Sequence, residues 1–247
     1  MEFAKIINQM GVLFLIIIIG YIAAKLKIID DLACQRFSKF VINLTAPALI
    51  ITSVSGDYVL GDIKDMLTTL FLSFGFYIII PILAVPLVNI LKVPREDKNL
   101  YRFMLIFNNI VFMGFPVVRS IYGEGAIFYA SIFNFPNTLF LFSLGIYLVK
   151  TQKDSKNLFE VKKLMNSGLF SIILAMFLFV FKIDLPGFLG STLQMVGSIT
   201  TPLSLIVIGA SIAGMPLKEV FNEKTLYPVA IISLFGIPLF ILLILRL

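Results

Sequence analysis

The chain has 247 residues, 59% hydrophobic and 14% charged, with a formal net charge of +6 and a mean hydropathy of +1.02. Soluble domains are about 45–50% apolar and about 25% charged, so this composition excludes a soluble globular protein, a disordered chain and a disulfide scaffold. Trp and His are absent and Cys34 is the single cysteine, which leaves no indole belt, no histidine for metal or proton chemistry and no internal disulfide.

A membrane-spanning helix needs about 20 apolar residues. Continuous apolar runs predict an all-α membrane protein of about eight transmembrane helices, at 8–25, 37–56, 66–91, 101–121, 126–149, 166–182, 190–213 and 226–246. Lys5 and the run Gly11 to Gly20 loosely resemble a signal peptide, but Ala23-Ala24-Lys25 is a poor cleavage site, and retention as a true first helix is expected. The second helix carries Asn43-Leu44-Thr45-Ala46-Pro47-Ala48-Leu49-Ile50. The third contains Pro81 and Pro86 and is long enough to tilt or kink.

The fourth helix reads Phe107-Asn108-Asn109-Ile110-Val111-Phe112-Met113-Gly114-Phe115-Pro116. Pro116 removes one helical hydrogen bond and blocks another near residue 112, and Gly114 permits a bend there. The expectation is a helix broken at mid-membrane. Backbone freed at that depth survives only where it lines a cavity or is buried in protein. Asn108 and Asn109 lie about two turns before the proline, and a half-helix N-terminus with amide donors suits a carboxylate. The plainer alternative is a Pro-kinked helix with Asn as interhelical glue; the paired amides beside the break favour a site.

The fifth helix contains Asn134-Phe135-Pro136-Asn137-Thr138, for which packing glue and site wall are both open readings. The sixth is short. The seventh carries Thr200-Thr201-Pro202-Leu203-Ser204, whose hydroxyls can also bond within their own helix. No Asp, Glu or Lys falls deep in a predicted span, which argues against a proton or sodium relay built on buried carboxylates. Arg119, near the end of the fourth helix, is placed to snorkel.

Basic residues alternate from loop to loop. The first loop (Lys25, Lys27, Arg36, Lys39), third (Lys92, Arg95, Lys98, Arg102), fifth (Lys150, Lys153, Lys156, Lys162, Lys163) and seventh (Lys218, Lys224) hold 15 of the 20 Lys and Arg. The positive-inside rule puts these odd loops in the cytoplasm and both termini outside. The positive charge then faces anionic lipid, and no nucleic-acid partner is expected.

An internal repeat accompanies this pattern. Thr45-x-Pro47 recurs as Thr200-x-Pro202, 155 positions on, and Ile63-Lys64-Asp65 recurs as Leu217-Lys218-Glu219, 154 positions on. Gly75 and Pro81 in the third helix have Gly236 and Pro238 as counterparts in the eighth. The offset equates the second helix with the seventh and the third with the eighth, so the unit is five helices. An odd number inverts the second copy in the membrane, as in many secondary transporters. The organisation expected is a first repeat over 1–149, a cytoplasmic linker over 150–165 and an incomplete second repeat of three helices over 166–247.

Together these motifs resemble the auxin efflux carrier family, which includes bacterial malate/malonate-type permeases. The resemblance rests on Asn43 to Ile50, on Asn109-x4-Gly114-x-Pro116, and on Thr201-Pro202-Leu203-Ser204 leading to Gly209-Ala210-Ser211. It implies ten helices in two inverted repeats, with a crossover where the broken fourth and ninth helices meet beside the substrate. The ninth and tenth would fall past Leu247.

The function expected is secondary transport of a small organic anion, such as malate, malonate or an auxin-like acid, by alternating access. Substrate contacts are expected from Asn108, Asn109, Gly114 and Pro116, from Asn43 and Pro47, from Asn134 and Asn137, and from Thr201, Pro202 and Ser204. The alternative is a truncated, transport-inactive membrane protein kept as an interaction partner or gene remnant. No aspartate-rich metal motif, His cluster or GxSxG elbow occurs, so neither enzyme activity nor a cofactor or metal is expected. Membrane lipid is the expected surrounding, and a homodimer is an analogy-level expectation.

Overall fold

The computed structural model describes residues 2–54, 62–91, 93–149 and 166–245. Among these residues the chain is helical and forms no strand. The expected linker, 150–165, lies outside the described residues.

Among the described residues, six helices are long and apolar enough to cross a membrane: Ile6–Lys25, Ile63–Ile90, Lys98–Tyr122, Ala126–Val149, Gly187–Gly214 and Leu226–Leu243. The other two predicted spans are also helical. The sixth, Ser167–Phe181, has 15 residues, about 22 Å at 1.5 Å per residue. The second opens with a charged segment instead of the apolar run expected from residue 37. Its first part, α2 (Asp31–Phe40), carries Asp31, Arg36 and Lys39 and buries no residue. Only α3 (Ala46–Thr52), after the intervening turn, is largely buried.

Helix ends follow from local chemistry. Asp30 begins α2 by accepting the Ala33 N–H at 2.6 Å. Asn166 begins the sixth helix by accepting that of Leu169 at 2.9 Å, and Lys182 ends it in the left-handed conformation. These are ordinary N-cap and αL C-cap solutions for groups that have no intrahelical partner.

Prolines shape the helix interiors. Three five-residue π-turns, Val41–Thr45, Ile110–Gly114 and Ile232–Gly236, each end two residues before a proline: Pro47, Pro116 and Pro238. In each, the residue preceding the proline donates its N–H five residues back, Ala46 to Val41, Phe115 to Ile110 and Ile237 to Ile232. A proline lacks the donor for the carbonyl four residues earlier, and its ring crowds that carbonyl. The carbonyl in question lies at the centre of each π-turn, where the wider loop gives it room. A fourth π-turn, Leu141–Gly145, has no proline after it. At Pro202 the helix instead breaks briefly at Ile199, between Gly187–Ser198 and Thr200–Gly214. The third helix, α4 (Ile63–Ile90), runs as one helix through Pro81 and Pro86.

The described chain forms two compact units. The first comprises residues 1–73, 109–138 and 161–215. Its core gathers Leu49 and Ile50 with Phe115, Ile127, Phe128, Ile132, Ile172 and Phe179. The Phe128 and Phe179 rings lie 4.6 Å apart. Two helix crossings in it depend on glycine. A Cβ at Gly209 would overlap the Ile17 carbonyl oxygen, and one at Gly20 that of Ile206, so α1 (Glu2–Lys25) and Thr200–Gly214 touch through backbone. A Cβ at Gly197 would come within 2.8 Å of the Leu49 Cα. Lipid tails are as apolar as Leu, so close backbone approach at small residues supplies much of the helix association in a bilayer.

The second unit comprises residues 74–108, 139–160 and 216–247. Tyr77 stacks on Phe140 with centroids 6.0 Å apart. Gly145 faces the Phe103 and Phe107 rings, each 3.3 Å from where a Cβ would stand. Buried Tyr101 hydrogen-bonds Thr225 at 2.5 Å, and Thr225 in turn donates to the Glu223 carboxylate. That hydroxyl, together with the Thr225 backbone N–H, holds the Glu223 carboxyl below the usual carboxylate range. The contribution from Glu223 is therefore present above the ordinary carboxylate pKa and is lost as pH falls through the lowered one.

Three stability outcomes follow. Gly209→Val forces two backbones apart and lowers the thermal midpoint of the detergent-solubilised protein, by about 1–3 kcal/mol in stability terms. Gly11→Ala meets nothing within 4 Å and leaves the melt within about 0.5 kcal/mol. Thr225→Val removes the link between Tyr101 and Glu223 and costs about 1 kcal/mol, read in the same melt; an unchanged melt would show that the chain of hydrogen bonds is idle.

Candidate functional site

The fourth predicted span is three pieces: α5 (Lys98–Ile106), the π-turn Ile110–Gly114 and α6 (Phe115–Tyr122). The helix is broken, but at Phe107–Asn109 and not at the expected Gly114–Pro116. Phe107 is extended, with φ −107° and ψ 112°. The defect imposed by Pro116 is absorbed by the π-turn, and the actual opening lies where a capping side chain is available. Asn109 Oδ1 accepts the Phe112 N–H at 3.1 Å, and the Asn109 carbonyl accepts from both Met113 and Gly114. Asn is among the best N-cap residues. The cap occupies the side-chain oxygen, and the carboxamide N–H2 has no partner among the described residues. Asn108 and Asn109 are both exposed.

Asn109 opens a half-helix that runs through the π-turn and α6 to Tyr122. Gly123, at φ 86°, ends it in a backbone conformation that favours glycine. Gly114 closes the π-turn, and Pro116 is fully packed. Within the first unit, the π-turn and α6 pack against Thr200–Gly214, and that helix also meets the π-turn Val41–Thr45. The seventh helix, which carries Thr201–Ser204, thus packs against both the π-turn and α6 of the fourth span and the π-turn that precedes Pro47. Asn108 belongs to the second unit.

The individual side chains differ. Exposed Asn43 donates to the Lys39 carbonyl at 2.8 Å and accepts from Ser167 at 3.1 Å, so it ties the second helix to the start of the sixth. Pro47 is half-buried and Pro202 exposed. Asn134 and Asn137 are each 6% exposed. The Asn137 amide donates to Asn134 Oδ1 at 3.0 Å, and the Asn137 carbonyl oxygen has no partner among the described residues. The fifth helix stays α-helical through Pro136. Ser204 is fully buried, also without a hydrogen-bond partner among the described residues.

The structure adds two features to residues that the sequence marks only as a repeated Thr-x-Pro motif and as an arginine placed to snorkel. Thr45 and Thr200 are fully buried with no hydrogen-bond partner among the described residues. They are the equivalent threonines of the Thr-x-Pro repeat, each two residues before its proline, and that coincidence is the signal that singles them out. The second is Arg119. Its Nε donates to Glu124 Oε1 at 2.7 Å, and its Nη1 reaches the Thr201 hydroxyl at 3.4 Å. Its side chain is therefore engaged within the first unit, where the sequence suggested snorkelling.

The comparisons with known proteins fit a chain of broken apolar helices. The family described as membrane transport protein matches residues 5–247. An uncharacterised transporter of Methanocaldococcus jannaschii is 24% identical over 214 residues, which cover 84% of this chain and 69% of the relative. A match that covers nearly every residue, including each helix break described above, shows that the chain belongs to the membrane transport protein family, the auxin efflux carriers.

Proposed function

We propose that this membrane transporter carries small organic anions, carboxylates such as malate or malonate, and that substrate binds at the half-helix opened by Asn109. One observation carries the reading. Within an apolar span, Asn109 uses its side-chain oxygen as an N-cap and leaves the amide N–H2 beside the first N–H groups of the half-helix. A helix N-terminus concentrates positive partial charge and unpaired donors, and both favour a carboxylate. An amide adds a donor at no cost in net charge.

The seventh helix supplies the opposite wall, with Thr201 and Ser204 on the helix that packs on Asn109–Pro116. Asn43 and Pro47 act as scaffold behind it, and Asn134 and Asn137 form a side wall whose spare carbonyl oxygen accepts a donor from substrate or water. The five-helix repeat 1–149 and the incomplete, three-helix repeat 166–247 are taken as inverted relatives joined by 150–165. The buried, unsatisfied hydroxyls of Thr45 and Thr200 at repeat-equivalent positions support that pairing. Exchange of access from one side to the other then needs one copy to rearrange against the other. The bias of Lys and Arg favours odd loops in the cytoplasm and the N-terminus outside.

The test is uptake of labelled malate and malonate by proteoliposomes. Asn109→Ala removes both a donor and a cap. A hydrogen bond to a charged group contributes about 1.5–3 kcal/mol, so uptake should fall by about tenfold or more, with the protein still present in the membrane. Pro116→Ala removes the reason for the π-turn and should also slow uptake. Normal rates in both variants would remove the site from the fourth helix, and absence of carboxylate uptake by the unmodified protein would remove the substrate class.

A further inference from the structure

Arg119 and Glu124 are the only charged residues between positions 103 and 149. They face each other across the turn that Gly123 allows between α6 and the fifth helix. The guanidinium places both Nε and Nη2 on one oxygen of Glu124, Oε1. A saturated Arg–carboxylate pair instead uses two parallel N–H···O bonds to two oxygens. Among the described residues, the outer edge of the guanidinium holds only the long 3.4 Å contact from Nη1 to Thr201. Both side chains are partly open to solute, at 20% and 27% exposure. Arg119 lies five residues past Gly114 on the same half-helix, about 7.5 Å further along its axis.

We propose that Arg119 is an outer docking point for the substrate carboxylate, masked by Glu124 until the incoming anion takes its place. The proposal rests on the anionic-substrate reading above. Exchange of one carboxylate for another conserves the charge-assisted bonds on the guanidinium. The arriving group can also use the Nη1 and Nη2 edge bidentately, which Glu124 does not. Thr201, beside Pro202 on the seventh helix, then senses the exchange, because its contact with Nη1 competes for the same edge. Glu124 excludes solutes that cannot supply a carboxylate of their own, and so acts as a specificity filter ahead of Asn109.

The experiment is equilibrium binding of labelled malonate to the full chain in detergent, for the unmodified protein, Arg119→Gln, Arg119→Lys and Glu124→Gln, with thermal melts as a fold control. Arg119→Gln should weaken malonate by about tenfold, the loss of a charge-assisted bond, and Arg119→Lys by less. Glu124→Gln should tighten it several-fold, because the competing carboxylate is gone. A mere staple across the turn predicts the reverse for Glu124→Gln, weaker binding with a lower melt, and that result, or no change, overturns the proposal. Should Arg119→Gln fail to fold, the sign of the Glu124→Gln effect decides alone. Malonate bound equally by every variant removes the docking point and leaves the anion reading standing. No malonate bound even by the unmodified protein removes both.

Discussion

Every backbone polar group inside a bilayer must find its partner within the chain, because hydrocarbon offers none. Prolines test that constraint most severely, and this chain places several inside its apolar helices. Three of them are met in the same way. The turn before Pro47, Pro116 or Pro238 widens by one residue, and the amide just ahead of the proline reaches five residues back. The helix survives, at the expense of regular geometry. Pro81, Pro86 and Pro136 lie in helices that remain α-helical, so a proline alone does not dictate the outcome.

The fourth helix goes further than the others. Besides the widened turn it opens fully at Phe107–Asn109, and the opening persists because Asn109 caps the new N-terminus with its own side chain and carbonyl. That single side chain converts a local backbone defect into a stable half-helix with donors exposed in an apolar span. The close glycine-mediated crossing of α1 and Thr200–Gly214 at Gly20 and Gly209 joins the two helices that pack against it. Without close-packed neighbours, an opened helix in lipid would leave its backbone groups unsatisfied.

The positions of most spans were legible in the sequence because continuous apolar runs and charged boundaries report directly on the bilayer. The second helix was less so. Its first ten residues, Asp31–Phe40, are charged and amphipathic, and a hydropathy window blends them with the apolar stretch that follows. The breaks were legible in kind and misplaced in position. Gly114 and Pro116 mark where a hydrogen bond is lost, but where the helix opens depends on which side chain can cap the exposed amides, and Asn109 does so two turns upstream of Pro116. The Arg119–Glu124 pair has no helical spacing and exists only because Gly123 turns the chain back. The burial of Thr45, Thr200 and Ser204 is set by neighbouring helices, which local sequence does not encode.

Substrate binding at Asn109 requires that this residue face a polar, water-accessible recess within the membrane span. The direct measurement is thiol accessibility. Asn109→Cys and, as a lipid-exposed reference on the third helix, Ile82→Cys are each made in a Cys34→Ser background and treated with a membrane-impermeant maleimide in intact proteoliposomes. Rapid labelling at position 109, slowed by malonate, with position 82 inert, is the predicted result. Position 109 as inert as position 82 would contradict substrate binding there, because the break would then be a packed kink with no route for a solute.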